Sequence, residues 1–270
     1  MKKKSLIGVI VAASILLIIG SIGVVAKNKD DKTIKLGVSP VPHKEIALAA
    51  KEDLEAKGYK VDIIEFNDYV TPNTALAEGS LDANFFQHIP YLNDQNKTRN
   101  LNLDYTAQIH LEPLGAYSKK IKNINELKNG DIIAIPNDPS NEARALKLLE
   151  ENGLIKVKDG DLITPKDIIE NKKNLKFKEL EAATIPKVLE DVSLAVINGN
   201  YAIDAGYEIK DALIKENKDS EGSKPYGNVI AVRKEEKDTE KIKDLTEALT
   251  SEKVKEFINE KYNGNVIPVF

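Results

Sequence analysis

The sequence predicts an α/β protein built from two doubly wound units. Three observations carry the prediction. Strand-like and helix-like periods alternate from Thr33 onward, the alternation restarts near Ala107, and glycines stand at the ends of helical stretches, at Gly58, Gly79 and Gly153. Such alternation builds a mostly parallel sheet with helices on both faces.

Residues 33–38 alternate at period two and read as a strand. Residues 42–57 carry Ile46, Ala49, Ala50 and Leu54 at helical spacing and end at Gly58, a natural C′ residue. A second strand spans 59–66, a short helix closes at 76–79, a third strand spans 81–86, and a helix covers 90–99. After the restart, 107–110 and 115–118 are strand-like, 124–127 begins a short helix, and 131–135 is a strand. Residues 139–152 form a helix with Pro139 near its start, and 175–180, 192–197 and 228–232 are further strands. Two helices, 241–249 and 252–262, complete the chain. The expected partition places 33–112 with 229–270 in one lobe and 113–228 in the other, joined by two crossing strands. In open α/β sheets ligands bind beyond the carboxyl ends of the strands, so strand-end residues are the candidates.

Composition narrows the function. The chain of 270 residues is 41% hydrophobic and 30% charged, with a net charge of −4 and scattered lysines, which excludes a clustered nucleic-acid surface. It has no cysteine, so disulfides, thiolate catalysis, Cys-based zinc sites and a lipidated N-terminal Cys are all excluded. Arg99, Arg144 and Arg233 are the only arginines among 39 basic residues. No Ser-His-Asp order, P-loop or HExxH motif appears, and no cofactor motif.

The N-terminus reads as an export segment. Lys2, Lys3 and Lys4 precede an apolar run over 5–26, and a polar spacer follows to Lys32. The run is long enough to span a bilayer, with the basic flank inside and the rest of the chain outside. It is either retained as an anchor, cleaved after Ala26, or derived from a lipoprotein signal in which Ser21 stands where the lipidated Cys belongs. Each of these places 33–270 outside the cytoplasm, associated with the cell membrane.

Five strand ends carry candidate ligand-binding residues. Phe85-Phe86-Gln87-His88 offers aromatics with an amide and an imidazole, and alternation turns one of the two Phe side chains into the core. His110 ends another strand and His43 follows the first. A site made from all three histidines is a metal arrangement, but none has a second His at i+2 or i+4, and a strand-end His also serves as a hydrogen-bonding residue. At 136–146 a strand ends and a helix begins, with Asp138 or Ser140 as cap and Arg144 one turn in. That helix start attracts an anion. The Arg144 guanidinium either forks onto a carboxylate or pairs with a Glu on its own helix. Asn198-Gly199 makes a tight turn, and an Asn there also accepts from an ammonium group.

Read together, these segments resemble the NlpA/MetQ family of methionine-binding lipoproteins of ABC importers. The likeness rests on Leu36-Gly37-Val38 with Pro42-His43, on Glu78 to Leu92 around Phe85-Phe86-Gln87-His88, and on His110 to Ser118. It continues through Ile135 to Asn141 with Arg144-Ala145-Leu146, and through Asn198 to Ala202. The resemblance implies a two-lobed periplasmic-binding-protein fold of the second type, with a ligand cleft between lobes and no catalysis. It implies methionine, or a closely similar amino acid, as ligand, delivered by a monomer to permease and ATPase subunits. Arg144 would hold the α-carboxylate, helped by Asn141; Asn198 would meet the polar end; Phe86, His88, His110 and Tyr69 would wall the side-chain pocket. No metal or cofactor is implied. Two departures stand out: the lipidated Cys is absent, and Asp204 puts an acid where a neutral residue is expected. The rival readings are a His-based metal-binding protein and an ectodomain with a vestigial cleft.

Overall fold

The computed structural model describes residues 32–270. The expected export segment over 5–26 and its spacer up to Asp31 lie outside the described residues, and among the described residues no helix is long and apolar enough to cross a membrane.

The chain begins with strand β1 (Thr33–Val38), a wide turn over Pro40–Lys44, helix α1 (Glu45–Ala56), β2 (Lys60–Glu65), α2 (Thr71–Ala77), β3 (Ala83–His88) and α3 (Ile89–Arg99). β4 (Leu103–Leu111) and β5 (Gly115–Tyr117) follow, then β6 (Ile132–Pro136), α4 (Pro139–Glu151), β7 (Lys156–Val157), β8 (Ile168–Glu170), β9 (Lys176–Leu180) and β10 (Leu194–Ile197). The last elements are α5 (Gly199–Asp204), β11 (Ile214–Lys215), β12 (Asn228–Arg233), α6 (Glu240–Leu249), α7 (Glu252–Tyr262) and β13 (Ile267–Pro268).

Two large sheets, each with its own core, and the two-stranded pair β7–β8 form among the described residues. The first runs β13-β4-β12-β3-β1-β2 and the second β11-β5-β10-β6-β9. β2, β1 and β3 are parallel neighbours, as βαβ alternation requires, but β12 inserts antiparallel between β3 and β4. The second sheet repeats the device: β10, β6 and β9 are parallel, and β5 and β11 are antiparallel additions. The expectation of mostly parallel sheets is therefore corrected to mixed ones, because β12, β5 and β11 pair antiparallel with their neighbours. On one face of the first sheet Leu36, Phe85 and Ile230 pack with Ile46 and Leu54 of α1, Leu245 of α6 and Ile258 of α7. On the other face Leu76, Leu92, Val229 and Ala231 form a smaller core. In the second sheet Ile133, Ile135, Leu194 and Val196 pack against Leu146 and Leu149 of α4.

Local rules account for the element ends. Gly58, Gly79 and Gly153 adopt φ of +85°, +80° and +72°, the left-handed conformation that costs least at glycine, and Asn100 and Asn263 take it at the ends of α3 and α7. Pro90 and Pro139 sit in the first turns of α3 and α4, where no backbone donor is needed. Three expectations shift. The first helix starts at Glu45 because 40–44 is a separate turn containing a cis Val41–Pro42 peptide. The residues after Asn198 form α5 and not a simple turn. The short antiparallel pair β7–β8 had no clear period in the sequence.

Candidate functional site

A small cleft enclosing about 340 Å³ of empty space, part of it open to solvent, lies where the strand ends of the two sheets face each other. Its wall includes Phe86 and His88 from the end of β3, Tyr91 from the first turn of α3, and Tyr69 from the loop before α2. Glu112 comes from the crossing after β4, Asn141 and Arg144 from α4, Asn198 and Asn200 from the start of α5, and Asn228 from the start of β12.

The polar wall is wired from α4 outward. Asp138 caps the helix, accepting from the Asn141 backbone N–H at 3.0 Å and from Asn141 Nδ2 at 2.9 Å. The Asn141 amide is thereby oriented with Oδ1 toward Asn198 Nδ2 at 2.8 Å and His88 Nε2 at 3.0 Å. His88 Nδ1 accepts from the Tyr91 backbone N–H at 3.2 Å and caps α3. One tautomer satisfies both bonds: a neutral imidazole with its proton on Nε2. Burial, with the Arg144 guanidinium adding repulsion, pushes His88 down to about 3, so it stays neutral at physiological pH. With Asn198 Nδ2 used, Asn198 Oδ1 is left buried without a partner. A buried acceptor in that state attracts a donor.

Arg144 is held on three sides. Nε donates to Glu216 Oε1 at 2.9 Å, Nη2 donates to Glu216 Oε2 and to the Glu112 carbonyl at 3.0 Å, and the Tyr226 ring covers the guanidinium with its centroid 4.2 Å from Cζ. These bonds occupy Nε and Nη2 and leave Nη1 over. The pairing thus crosses 72 residues of sequence and does not involve a Glu of Arg144's own helix.

Behind this wall Glu112 anchors a buried cluster. Its Oε1 accepts from His110 Nε2 at 2.8 Å and lies 3.5 Å from His43 Nε2, which also meets Asn228 Oδ1 at 3.2 Å. Burial raises the Glu112 carboxyl, His43 beside it acts the other way, and burial lowers His43 to about 4 and His110 to about 3. Helix α5 comes so close that a Cβ at Gly199 would stand 2.5 Å from Glu112 Cβ, which is why this position needs glycine.

The predicted residues separate accordingly. Tyr69, Phe86, His88, Asn141, Arg144 and Asn198 all line the cavity. His110 does not: it is fully buried one layer back, where it orients Glu112, and its expected place in the side-chain wall is corrected. The expected trio of histidines also separates, because His88 is committed to Asn141 while His43 and His110 meet at Glu112. Donor atoms of His43, His110 and Glu112 come within 4.8 Å of one another. However, His110 Nδ1 has no hydrogen-bond partner, whereas a metal-ligating imidazole gives its second N–H to an oriented acceptor. The Nε2–H groups facing Glu112 and Asn228 make a hydrogen-bonded cluster instead. Asp204 is exposed and outside the cavity wall. Missed in the sequence were Glu112, Asn200, Glu216, Tyr226 and Asn228. Tyr91 had a usable signal, the i+3 spacing from a capping His88.

One buried acid near the site makes a pH-dependent prediction. Glu142 Oε1 is buried without a partner, and burial, reinforced by Glu179 and Asp138, raises its pKa from 4.5 to about 7. The unfolded chain ionises first as pH rises, so Glu142 costs stability from about pH 4.5 upward, fully above about 7. Glu142→Gln is expected to add about 1–2 kcal/mol at pH 8 and much less at pH 5. Urea unfolding at both pH values checks this; an equal gain at both would exclude ionisation as the cause.

A family profile described as NlpA lipoprotein matches residues 34–270. A curated relative, the D-methionine-binding lipoprotein MetQ of Salmonella typhi, is 43% identical over 264 residues covering 94% of this chain and 96% of the relative. The protein of that name from Escherichia coli K12 is 42% identical over the same shares. Among solved structures, a nutrient-binding protein from Burkholderia cenocepacia bound to methionine is 45% identical, with a TM-score of 0.84, covering 88% of this chain and 100% of that one.

Proposed function

This chain belongs to the NlpA lipoprotein family, and from that premise we propose that it is an extracytoplasmic, membrane-associated solute-binding protein. It captures methionine, L or D, or a closely similar amino acid, and delivers it to the permease of an ABC importer. It performs no catalysis. The observation that carries the reading is the set of groups facing one small cavity: Arg144 Nη1, left over by the Glu216 and Glu112 bonds, on one side, and on the other the buried acceptor Asn198 Oδ1 beside the Glu112 carboxyl, whose Oε1 already accepts from His110. A donor and two acceptors so arranged match the carboxylate and ammonium of a zwitterion. Asn141 supports Arg144's end through the α4 N-terminus, and Asn228 joins the acceptor side. Phe86, Tyr69, Tyr91 and His88 supply an aromatic wall that suits a polarisable thioether.

The relatives' names supply methionine, and the Burkholderia cenocepacia nutrient-binding protein is bound to methionine. Residues 33–112 with 229–270, and 113–228, are the lobes that close on the ligand. Tyr69 Oη donating to Asn200 Oδ1, Tyr201 Oη donating to the Asn67 carbonyl and His88 Nε2 donating to Asn141 Oδ1 are among the links that hold them together. Those relatives are lipoproteins by name, but this chain has no cysteine, so the apolar segment over 5–26 takes the tethering role. Calorimetry with L-methionine, D-methionine, glutamine and Gly-Met is expected to give micromolar or tighter binding of at least one methionine isomer. No binding by any of the four would refute the assignment.

A further inference from the structure

Every hydrogen-bonding side of Arg144 except Nη1 is occupied before a ligand arrives. Glu216 takes Nε and Nη2 in a two-pronged bond, and both side chains are deeply buried, 5% and 11% exposed. Glu216 is itself fixed. It directly follows edge strand β11, its backbone N–H donates to the Leu114 carbonyl at 2.9 Å, and its Oε2 accepts from the Leu114 N–H at 3.2 Å. Arg144 and Glu216 are therefore a preformed neutral pair. His88, on the same wall, is held neutral by burial. The acid lining the cavity is Glu112, whose Oε1 is held by His110 Nε2.

From this arrangement we propose that Glu216 is a specificity-determining residue: it cancels the Arg144 charge and makes the cavity select zwitterions over plain carboxylates. The inference rests on the amino-acid-binding reading above. The carboxylate of a ligand still receives the Arg144 Nη1 bonds, because hydrogen bonding is local. A ligand with no ammonium brings a net negative charge into a cavity with no net positive charge to receive it, and a hydroxyl in its place can give Asn198 Oδ1 one hydrogen bond but no charge. A free guanidinium without Glu216 would attract any anion, since a unit charge a few ångströms away in a partly buried site moves affinity by about tenfold or more. Glu216 touches no part of the ligand; it acts through Arg144.

The test compares L-methionine with its deaminated analogue 2-hydroxy-4-(methylthio)butanoate, in which a hydroxyl replaces the ammonium. Unmodified protein is expected to favour methionine by about 100-fold or more. In Glu216→Gln the preference shrinks by about tenfold or more, through tighter binding of the hydroxy acid. Glu216→Asp, which keeps the charge, retains most of the original ratio. A structural role alone would weaken both ligands together and leave the ratio unmoved, and that result overturns the proposal. A measurement on the unmodified protein stands beside it in case the variant folds poorly: methioninol, which keeps the ammonium and lacks the carboxylate, must bind more tightly than the hydroxy acid. The reverse order also overturns it. Failure of unmodified protein to bind methionine at all would instead refute the functional reading.

Discussion

Arg144→Lys is expected to weaken methionine binding by about 100-fold or more while the protein stays folded. Arg144 holds Glu216 through two nitrogens and the Glu112 carbonyl, and in the proposed function it also takes a ligand carboxylate through Nη1. A lysine ammonium has three donors on one atom and no fork. It can keep the ion pair with Glu216 or reach the ligand, but the geometry of one nitrogen does not cover both. Charged hydrogen bonds are worth about 1.5–3 kcal/mol each, and about 1.4 kcal/mol is a factor of ten. The stacking on Tyr226 is weakened as well. Lysine is preferable to alanine for this test, because alanine would strand Glu216 as a buried unpaired charge at about 3–5 kcal/mol and confuse lost binding with lost fold. Titration calorimetry decides the matter; affinity within threefold of the unmodified protein would remove Arg144 from the carboxylate role.

Phe85→Ala is expected to destabilise the protein by about 3–5 kcal/mol. The side chain is fully buried in the first sheet, with Phe85 opposite Val38 of β1 on one side and Ile230 of β12 on the other. It also meets two imidazoles edge-on, His43 at 4.8 Å and His110 at 5.2 Å between centroids. Its removal leaves a cavity beneath the cluster that positions Glu112. The neighbouring residue provides the contrast. Phe86 points to the opposite face and lines the ligand cavity, so Phe86→Ala is expected to cost more affinity than stability. Thermal melts with and without methionine separate the two. Equal loss of stability in both variants would mean that the strand does not divide its faces in this way.

Much of this was legible along the chain. Period-two alternation at 81–86 already required one of Phe85 and Phe86 to face inward, and the structure assigns Phe85 to the core. The strand-to-helix junction at Asp138 exposed its cap and placed Arg144 one turn in. Those are local facts, settled by backbone periodicity and capping within about ten residues. The sheet order was not legible, because a run such as 228–232 announces a strand without announcing its neighbours. β12 joins β3 and β4, from which it is separated by more than a hundred residues. The occupant of Arg144's fork was hidden for the same reason. Sequence offered a ligand carboxylate or a Glu on the same helix, and the structure supplied Glu216 from the far edge of the second sheet.

His110 makes the same distinction at single-residue scale. A histidine ending a strand has the chemistry to face a ligand, and nothing in its neighbourhood says otherwise. What removed it from the cavity is Glu112, two residues on, which turns across the crossing and takes the imidazole as its own donor at 2.8 Å. The sequence by itself therefore determined the α/β alternation, the helix caps, the candidate strand ends and, through resemblance, the family. Only the tertiary structure decided which strand ends share a cavity, which histidine stands behind it, and that Arg144 arrives already neutralised. Periodicity and capping are properties of neighbouring residues. Burial and charge pairing depend on groups that only folding brings within a few ångströms, where desolvation and Coulomb forces act.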